Sequence, residues 1–425
     1  MNAYPEVLMR FHLIGLFALC SLALFSACGD DVVDGEGSCP PGESLNPITG
    51  QCTPDQGGAT NQGGGTDNQG GGTNNQGGEQ PCGDGRIEGL ACTPDGATLP
   101  VANVTISGTD CEGNAFSFET TTDNAGYYTF EDVPAGNQEL VVTSGSFSGT
   151  RIVQVHPDQT TDLRDEAQKV CVAGDSAQIA VISGEYDNVG SLLSSMNIEY
   201  DIVGSDGFVD FGNLFGGGDG TDDAAAFLMD YSAMAPYQII FIECGGLYSM
   251  LDAGGFDLGD FDLGGFFPGM GSDADMDVII ENLQTFVQNG GSLYSSDLAY
   301  QFMDDAFPDA ATFLGTSGHS QDVTADVISN EMLSLLGTNQ ASISFNMGGW
   351  AMMSDAGANT TIHFQGDALH GAAESPQTAS DIPFLISYDP PTGSGKAIYT
   401  SFHNSAQGAL GGDMEEILRF LIFQL

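Results

Sequence analysis

Basic side chains are scarce in this sequence. Its 425 residues contain 7 Lys and Arg against 58 Asp and Glu, which gives a formal net charge of −51 at pH 7. Nucleic acids and anionic lipid surfaces are bound through clustered basic side chains, so this composition argues against both as electrostatic partners. Metal cations, basic proteins and neutral ligands remain compatible with the charge.

Zinc-binding motifs are missing as well. The 6 His are dispersed along the chain, and neither HExxH nor CxxC occurs. Apolar side chains, in contrast, are plentiful, because hydrophobic residues make up 41% of the chain and include 26 Phe. The sequence therefore predicts folded cores rather than a wholly disordered acidic chain.

The N-terminus carries a predicted export signal. The apolar run 11–27 follows the single basic residue Arg10, is too short for a membrane-spanning helix and is typical of a secretory signal peptide. The boundary LFSACG, which ends in Cys28 and Gly29, resembles the bacterial lipobox. This resemblance implies a signal peptide over 1–27 and a Cys28 thiol acylated by palmitate or a similar chain. The protein would then lie in the cell envelope, anchored to a bacterial membrane at the outer membrane or cell surface. The alternative is an ordinary signal peptide with an incidental cysteine.

Residues 28–82 have the composition of a flexible, disordered tether. Within them the sequence repeats TNQGGGT, DNQGGGT and NNQGG, which contain no apolar side chain to bury. Cys39 and Cys52 bracket a Pro- and Gly-rich stretch, which a Cys39–Cys52 disulfide would close into a small loop. Cysteines of an exported chain predict disulfides in general.

Four further cysteines frame the segment that follows the tether, and four cysteines allow three pairings. We favour Cys92–Cys111 and Cys82–Cys171 as the bridges. Cys244 is then left over as a free thiol.

Residues 83–172 predict a small antiparallel β-sandwich. Runs such as PVANVTISG, YYTFEDV and TRIVQVH alternate apolar and polar residues between Gly, Asp and Asn turns. The stretches GLACTPDGATLPVANVTISG and TTTDNAGYYTFEDVPAGNQELVV resemble the carboxypeptidase regulatory-like domain. The resemblance implies a prealbumin-like sandwich that serves as a spacer or interaction module and has no catalytic residues. The motif positions are Asp123, Gly126, Tyr128, Phe130, Val133, Pro134 and Gly136.

Residues 175–425 predict an α/β domain, which makes the chain multidomain. Buried strands are expected at QIAVISG, YQIIFIECGG, SLYSSD and GKAIYTSFHN, with amphipathic helices near 276–287 and at the C-terminus. This alternation predicts a three-layer sandwich with a mainly parallel sheet. The four stretches resemble the class I glutamine amidotransferase-like, flavodoxin-like fold. That family places a catalytic Cys in a G-x-C-x-G turn after the strand that here reads SLYSSD, and this sequence has Ser295, Ser296 and Asp297 there instead.

Four residues are candidates for chemistry in this domain. His403 follows the last predicted strand, where the resemblance implies a catalytic His, and could act as a base for Ser296 or Asp297. Cys244 follows an apolar strand and could be a nucleophile, although a buried free cysteine usually behaves as a small apolar residue. For His403 the alternative is a structural role, in which the side chain only forms hydrogen bonds that hold the turn after the strand in place.

Two acidic segments could bind Ca²⁺, which prefers oxygen ligands. One precedes an Ala-rich helix, and the other is a Gly- and Phe-rich insert at 251–277 that lacks the Gly and terminal Glu of an EF-hand. A solvated acidic loop is the alternative for both. The possible ligands are Asp219, Asp222, Asp223, Asp257, Asp260, Asp262, Asp273, Asp275 and Asp277.

Three functions are compatible with these features. The first is a non-catalytic cell-envelope lipoprotein that displays a binding or structural module on a stalk, with an envelope protein or a polysaccharide as its partner. The second is an envelope hydrolase that uses Ser296 or Asp297 with His403. The third is a calcium-dependent adhesin for extracellular polysaccharide.

Overall fold

The computed structural model describes residues 43–45, 52–54, 82–184, 186–203, 221–244, 273–404 and 412–425. The chain divides into two compact units, Met1–Asn75 and Gln76–Leu425. In the first unit, β1 (Glu43–Leu45) and β2 (Cys52–Pro54) pair antiparallel. Cys28 and Cys39 lie outside the described residues, so the Cys39–Cys52 bridge stays a prediction.

The second unit begins with a β-sandwich of two four-stranded sheets. In the first sheet β3 pairs with β6, β9 and β10, and the second sheet has the order β5-β4-β7-β8. Alternate residues of these strands are buried, as the period-two pattern predicts. The strands are β3 (Asp84–Cys92), β4 (Asn103–Thr109), β5 (Ala115–Thr121), β6 (Tyr127–Pro134), β7 (Gly136–Ser144), β8 (Phe147–Val155), β9 (Thr160–Leu163) and β10 (Val170–Cys171).

The disulfides of the sandwich correct the pairing expected from the sequence. Cys82 bonds to Cys111 and Cys92 bonds to Cys171, so the predicted Cys92–Cys111 and Cys82–Cys171 bridges are wrong. The cause is strand pairing, because β3 and β10 run side by side with Cys92 opposite Cys171. The free, buried state of Cys244 is confirmed.

A nine-stranded sheet of order β12-β11-β13-β14-β21-β20-β19-β16-β17 forms the rest of the unit. The order of elements along the chain is β11 (Ile179–Ile182), α1 (Val189–Ser195), β12 (Asp201–Val203), α2 (Thr221–Met229), α3 (Tyr231–Met234), β13 (Ile239–Ile242), α4 (Asp273–Gln288), β14 (Ser292–Ser296), α5 (Tyr300–Ala306), β15 (Ala311–Ser317), β16 (Gln321–Val327), α6 (Asn330–Leu336), β17 (Gln340–Phe345), β18 (Ala351–Ala356), β19 (Thr360–His370), β20 (Gln377–Tyr388), β21 (Lys396–Thr400) and α7 (Gly412–Ile422).

Only half of this sheet is parallel, which corrects the expected mainly parallel sheet. Strands β12, β11, β13, β14 and β21 pair parallel, whereas β21, β20, β19, β16 and β17 pair antiparallel. The antiparallel half comes from residues 321–388, between the last two parallel strands along the chain. A separate antiparallel pair, β15 and β18, also comes from the chain between β14 and β21.

Helices cover both faces of the parallel half. Along β11, Ala180 and Ile182 belong to one apolar cluster with residues of α2, α4 and α5, while Ile179 and Val181 belong to another with residues of α1 and α7. Successive residues of a strand point to opposite faces, so a continuous apolar run is what a sheet covered on both sides requires. No helix among the described residues is both long enough and apolar enough to cross a membrane.

The C-terminal segment contacts the sandwich. Phe423 packs edge-on against Phe147 at 4.9 Å between ring centroids, and the Ser144 hydroxyl donates to the Phe423 carbonyl at 2.8 Å. Beside this contact, Arg419 of α7 forms an ion pair with Asp95. Sandwich and sheet therefore share one apolar cluster.

Candidate functional site

Three parallel strands bring their following residues together at one edge of the sheet. Cys244 follows β13, Asp297 follows β14 and His403 follows β21. Because β13, β14 and β21 are adjacent and parallel, their carboxyl ends meet, which is where open α/β sheets bind ligands. All three side chains are buried in the described structure.

Asp297 occupies a strained turn. Its φ of +43° lies in the left-handed region, which non-glycine residues rarely adopt, at the change from β14 into a short 3₁₀ turn before α5. The Ala351 N–H donates to its Oδ1 at 3.2 Å, and the Tyr399 hydroxyl donates to its main-chain carbonyl at 3.0 Å. These contacts hold the carboxylate and the backbone of the turn in place.

His403 joins the group through both ring nitrogens. Its Nε2 lies 2.7 Å from Asp297 Oδ2 and 3.0 Å from Cys244 Sγ, and its Nδ1 lies 3.2 Å from Asn346 Oδ1. Burial alone would disfavour the imidazolium, but the hydrogen bond and charge of Asp297, with the charge of Asp187, raise the pKa of His403 above its usual value. The His403–Asp297 contact is therefore an ion pair when the imidazole is protonated.

Cys244 is a poor nucleophile in this setting. Its side chain is fully buried, and burial together with the negative charge of Asp297 strongly raises the pKa of the thiol. The thiolate is the reactive form of cysteine, so the thiol here is held in its unreactive form.

The predicted pairing of Ser296 with His403 is not the arrangement that the described structure shows. The Ser296 hydroxyl donates to Asp187 Oδ2 at 2.9 Å and accepts the Cys244 N–H at 3.0 Å. Of the two candidate partners, Asp297 is therefore the one in contact with His403.

Two carboxylates near this group were missed in the sequence. Asp187 accepts the N–H groups of Asn188 and Asn404 at 3.0 Å each. Glu243 accepts the N–H groups of Gly184 and Val189, and burial, followed by the charge of Asp187, raises its pKa to about 7. Glu243 directly follows the apolar run of β13 and Asp187 lies five residues beyond the end of β11, and this position near a strand end was the signal that could have identified both.

Four of the nine predicted calcium ligands lie where the structure gives no test. Asp219, Asp257, Asp260 and Asp262 lie outside the described residues. The other five fall at the beginnings of helices, with Asp222 and Asp223 in α2 and Asp273, Asp275 and Asp277 in α4. Acidic residues in a first helical turn also interact favourably with the helix dipole.

Residues 86–166 match the family model of the carboxypeptidase regulatory-like domain. This range contains the motif positions Asp123 to Gly136, and it covers most of the sandwich. Within it the Asp123 carboxylate accepts the N–H groups of Ala125 and Tyr127 at 2.9 Å each, which forms the predicted tight turn.

Solved structures similar to the chain include several glutamine amidotransferase-type proteins. PurLQS from Thermotoga maritima is 12% identical with a TM-score of 0.35, and the match covers 58% of this chain and 97% of that chain. A glutamine amidotransferase from the same organism is 10% identical with a TM-score of 0.31, covering 57% and 81%. The glutaminase domain of Trypanosoma brucei CTPS with bound acivicin is 11% identical with a TM-score of 0.27, covering 58% and 92%. No curated protein matches the chain.

Proposed function

We propose that this protein is a non-catalytic cell-envelope lipoprotein, which presents the sandwich and the nine-stranded sheet as a binding or structural module. The observation that carries this proposal is the buried contact between His403 and Asp297, at 2.7 Å with 5% and 3% of the two residues exposed. Catalytic acids, bases and nucleophiles need a site that substrate can reach. Here His403 and Asp297 are buried at the sheet edge and form a hydrogen bond with each other.

The other hydrogen bonds of Asp297 and His403 support the same conclusion. Asp297 uses one carboxylate oxygen for Ala351 and the other for His403, while Nδ1 of His403 faces Asn346. The only thiol of the group is kept protonated by its surroundings. The group therefore acts as a buried polar clamp that joins β13, β14 and β21.

A substrate screen tests the absence of catalysis. The purified full chain is expected to turn over no ester, amide, glycoside or phosphoester above the background of a His403→Gln variant. Turnover that is abolished by both His403→Gln and Asp297→Asn would overturn the proposal, provided that circular dichroism shows both variants folded.

The membrane anchor rests on Cys28 and is tested separately. Acylation of the thiol would place the folded part in the envelope, since each buried methylene of an acyl chain contributes about 0.8 kcal/mol to membrane binding. Cys28→Ala is expected to release the protein from washed membranes, whereas Cys244→Ala should leave fractionation unchanged. Retention of the Cys28→Ala protein in the membrane fraction would contradict a lipid anchor.

A hydrolase is the second candidate, and the φ of +43° at Asp297 favours it. Strained residues cluster at functional sites, and hydrolase nucleophiles occupy sharp strand-to-helix turns of this kind. In such an enzyme the Asp297 carboxylate would attack an ester carbonyl to form an anhydride, while the His403 imidazolium donates a proton to the departing alcohol. The neutral imidazole would then take a proton from the water that hydrolyses the anhydride and releases the acid. The His403→Gln variant would accumulate a covalent adduct on Asp297, which mass spectrometry of the intact protein would detect. An unchanged mass after incubation with activated esters would remove this candidate.

A further inference from the structure

We infer that Cys244, Asp297 and His403 form a binding site for a divalent metal ion of the zinc class. This inference goes beyond the proposed function, which needs no metal. One ligand atom from each residue, Sγ, a carboxylate oxygen and a ring nitrogen, lies within 4.8 Å of the other two. Since the residues follow three adjacent strands, the backbone fixes their spacing.

The interatomic distances suit a metal after a small adjustment. His403 Nε2 lies 3.0 Å from Cys244 Sγ and 2.7 Å from Asp297 Oδ2. Around tetrahedral Zn²⁺, ordinary bond lengths place such N···S and N···O pairs about 3.6 Å and about 3.4 Å apart. Binding would therefore open the two pairs by about 0.6 Å and about 0.7 Å through rotation of the side chains.

The kinds of ligand select the ion. Thiolate and imidazole are preferred by Zn²⁺ and similar transition metals, whereas Ca²⁺ and Mg²⁺ prefer oxygen ligands. A thiolate and a carboxylate together neutralise a divalent cation, and binding would release the thiol proton and the proton on Nε2. Three protein ligands leave a fourth position, which water would fill.

The groups behind the ligands are arranged as metal sites require. Asn346 Oδ1 accepts from Nδ1 of His403 at 3.2 Å, which leaves Nε2 as the nitrogen that faces Cys244 and Asp297. The Ala351 N–H holds Oδ1 of Asp297 at 3.2 Å, which leaves Oδ2 on the side of the ring. Such outer contacts fix the tautomer and orientation of metal ligands.

The surrounding charge also favours a cation. The carboxylates of Asp187 and Glu243 lie beside the three ligands, and the Ser296 hydroxyl links Asp187 to the Cys244 N–H. Each Lys and Arg of the described residues forms an ion pair or a hydrogen bond with a group outside this site. These residues are Arg86, Arg151, Arg164, Lys169, Lys396 and Arg419. The negative charge of Asp187 and Glu243 would attract a bound cation.

Cobalt titration of the full chain tests the site. After treatment with a chelator, the wild-type protein is expected to bind one equivalent of Co²⁺ with a thiolate-to-metal charge-transfer band and tetrahedral d–d absorption, and Zn²⁺ should displace the cobalt. Cys244→Ser should lose the charge-transfer band. Asn346→Ala should keep the band and weaken binding by about 10- to 100-fold, as is typical when an outer partner is removed. His156→Gln, a change at an exposed histidine of the sandwich, is the matched control and should bind as the wild type does.

Two results would overturn the inference. One is the absence of a charge-transfer band in wild-type protein whose near-ultraviolet circular dichroism shows a folded core. The other is an unchanged band in Cys244→Ser. Neither result bears on membrane fractionation or on the substrate screen. Turnover by zinc-loaded protein, in contrast, would contradict the non-catalytic proposal and would be compatible with the metal site.

Discussion

His363 should make the stability of this protein fall in mild acid. The side chain is buried on β19, with Nδ1 2.9 Å from the Ser329 hydroxyl and Nε2 2.9 Å from the Ser387 hydroxyl. Burial, with a smaller effect from the charge of Lys396, lowers its pKa from 6.5 to about 4. The two hydroxyls satisfy a neutral ring, because one can donate to its acceptor nitrogen and the other can accept from its N–H.

The sign and size of the effect follow from the two pKa values. Between about pH 6.5 and about pH 4 the unfolded chain binds a proton at His363 and the folded protein does not, so the free energy of unfolding decreases as the pH falls. At 1.36 kcal/mol per pKa unit, the full shift corresponds to about 3 kcal/mol. About 2.5 kcal/mol of this should be lost between about pH 7 and about pH 4.5.

Urea unfolding with intact disulfides measures this loss. The single tryptophan, Trp350, is 2% exposed and stacks on Phe345 in the same half of the sheet, so its fluorescence reports unfolding of this region. The measured quantity is the free energy of unfolding of wild type minus that of His363→Gln at each pH. Subtraction removes the contribution of the many carboxylates, which both proteins share.

The free energy of unfolding of wild type minus that of His363→Gln should decrease by about 2.5 kcal/mol as the pH falls from about 7 to about 4.5. His156→Gln provides the comparison for losing an imidazole at an exposed position. A difference that stays constant over this range, or that grows in acid, would refute the assignment of a buried neutral ring to His363.

Three other changes have expected outcomes. Replacing Cys92 and Cys171 by Ala should lower the free energy of unfolding in urea by roughly 4 kcal/mol. This loss should exceed that of replacing Cys82 and Cys111, because a bridge that closes a longer loop restricts the unfolded chain more and the sequence separations are 79 and 29. Equal losses would contradict this explanation. Arg419→Ala removes the ion pair between α7 and the sandwich and should lower the free energy of unfolding by about 1–3 kcal/mol in the same assay. An unchanged free energy of unfolding would show that the pair does not stabilise the fold. Ca²⁺ should raise the melting temperature more than NaCl at matched ionic strength if the acidic segments bind it, and equal effects of the two salts would show that they do not.

The parallel part of the sheet was predictable from local sequence. The apolar runs at β11, β13 and β21 each end at polar residues or glycine, and the helical spacing of Met276, Ile279, Leu283 and Phe286 lies within α4. Strands covered on both faces need uninterrupted apolar residues, so the pattern is strong. Among the missed antiparallel strands, β16 and β17 do carry the alternation of a half-buried strand, whereas in β20 the pattern is diluted by the exposed polar residues of QTASDIP.

The disulfides and the partners of His403 were not predictable in the same way. Cys92 pairs with Cys171 because strands far apart in the chain become neighbours, and strand order is decided by packing of the two sheets. Asn346 follows β17 in the missed antiparallel half, so its contact with the His403 ring could not be inferred from chain distance.

The sequence by itself determined which residues stand at the ends of buried strands, Cys244, Asp297 and His403 among them. Parallel neighbours bring their carboxyl ends together whatever the side chains are. Only the tertiary structure decided which side chain faces the imidazole. The +43° turn at Asp297 carries its carboxylate toward His403, while Ser296, one residue earlier, points to Asp187. That choice depends on a strained backbone angle, which surrounding contacts from Ala351 and Tyr399 maintain and local sequence does not encode.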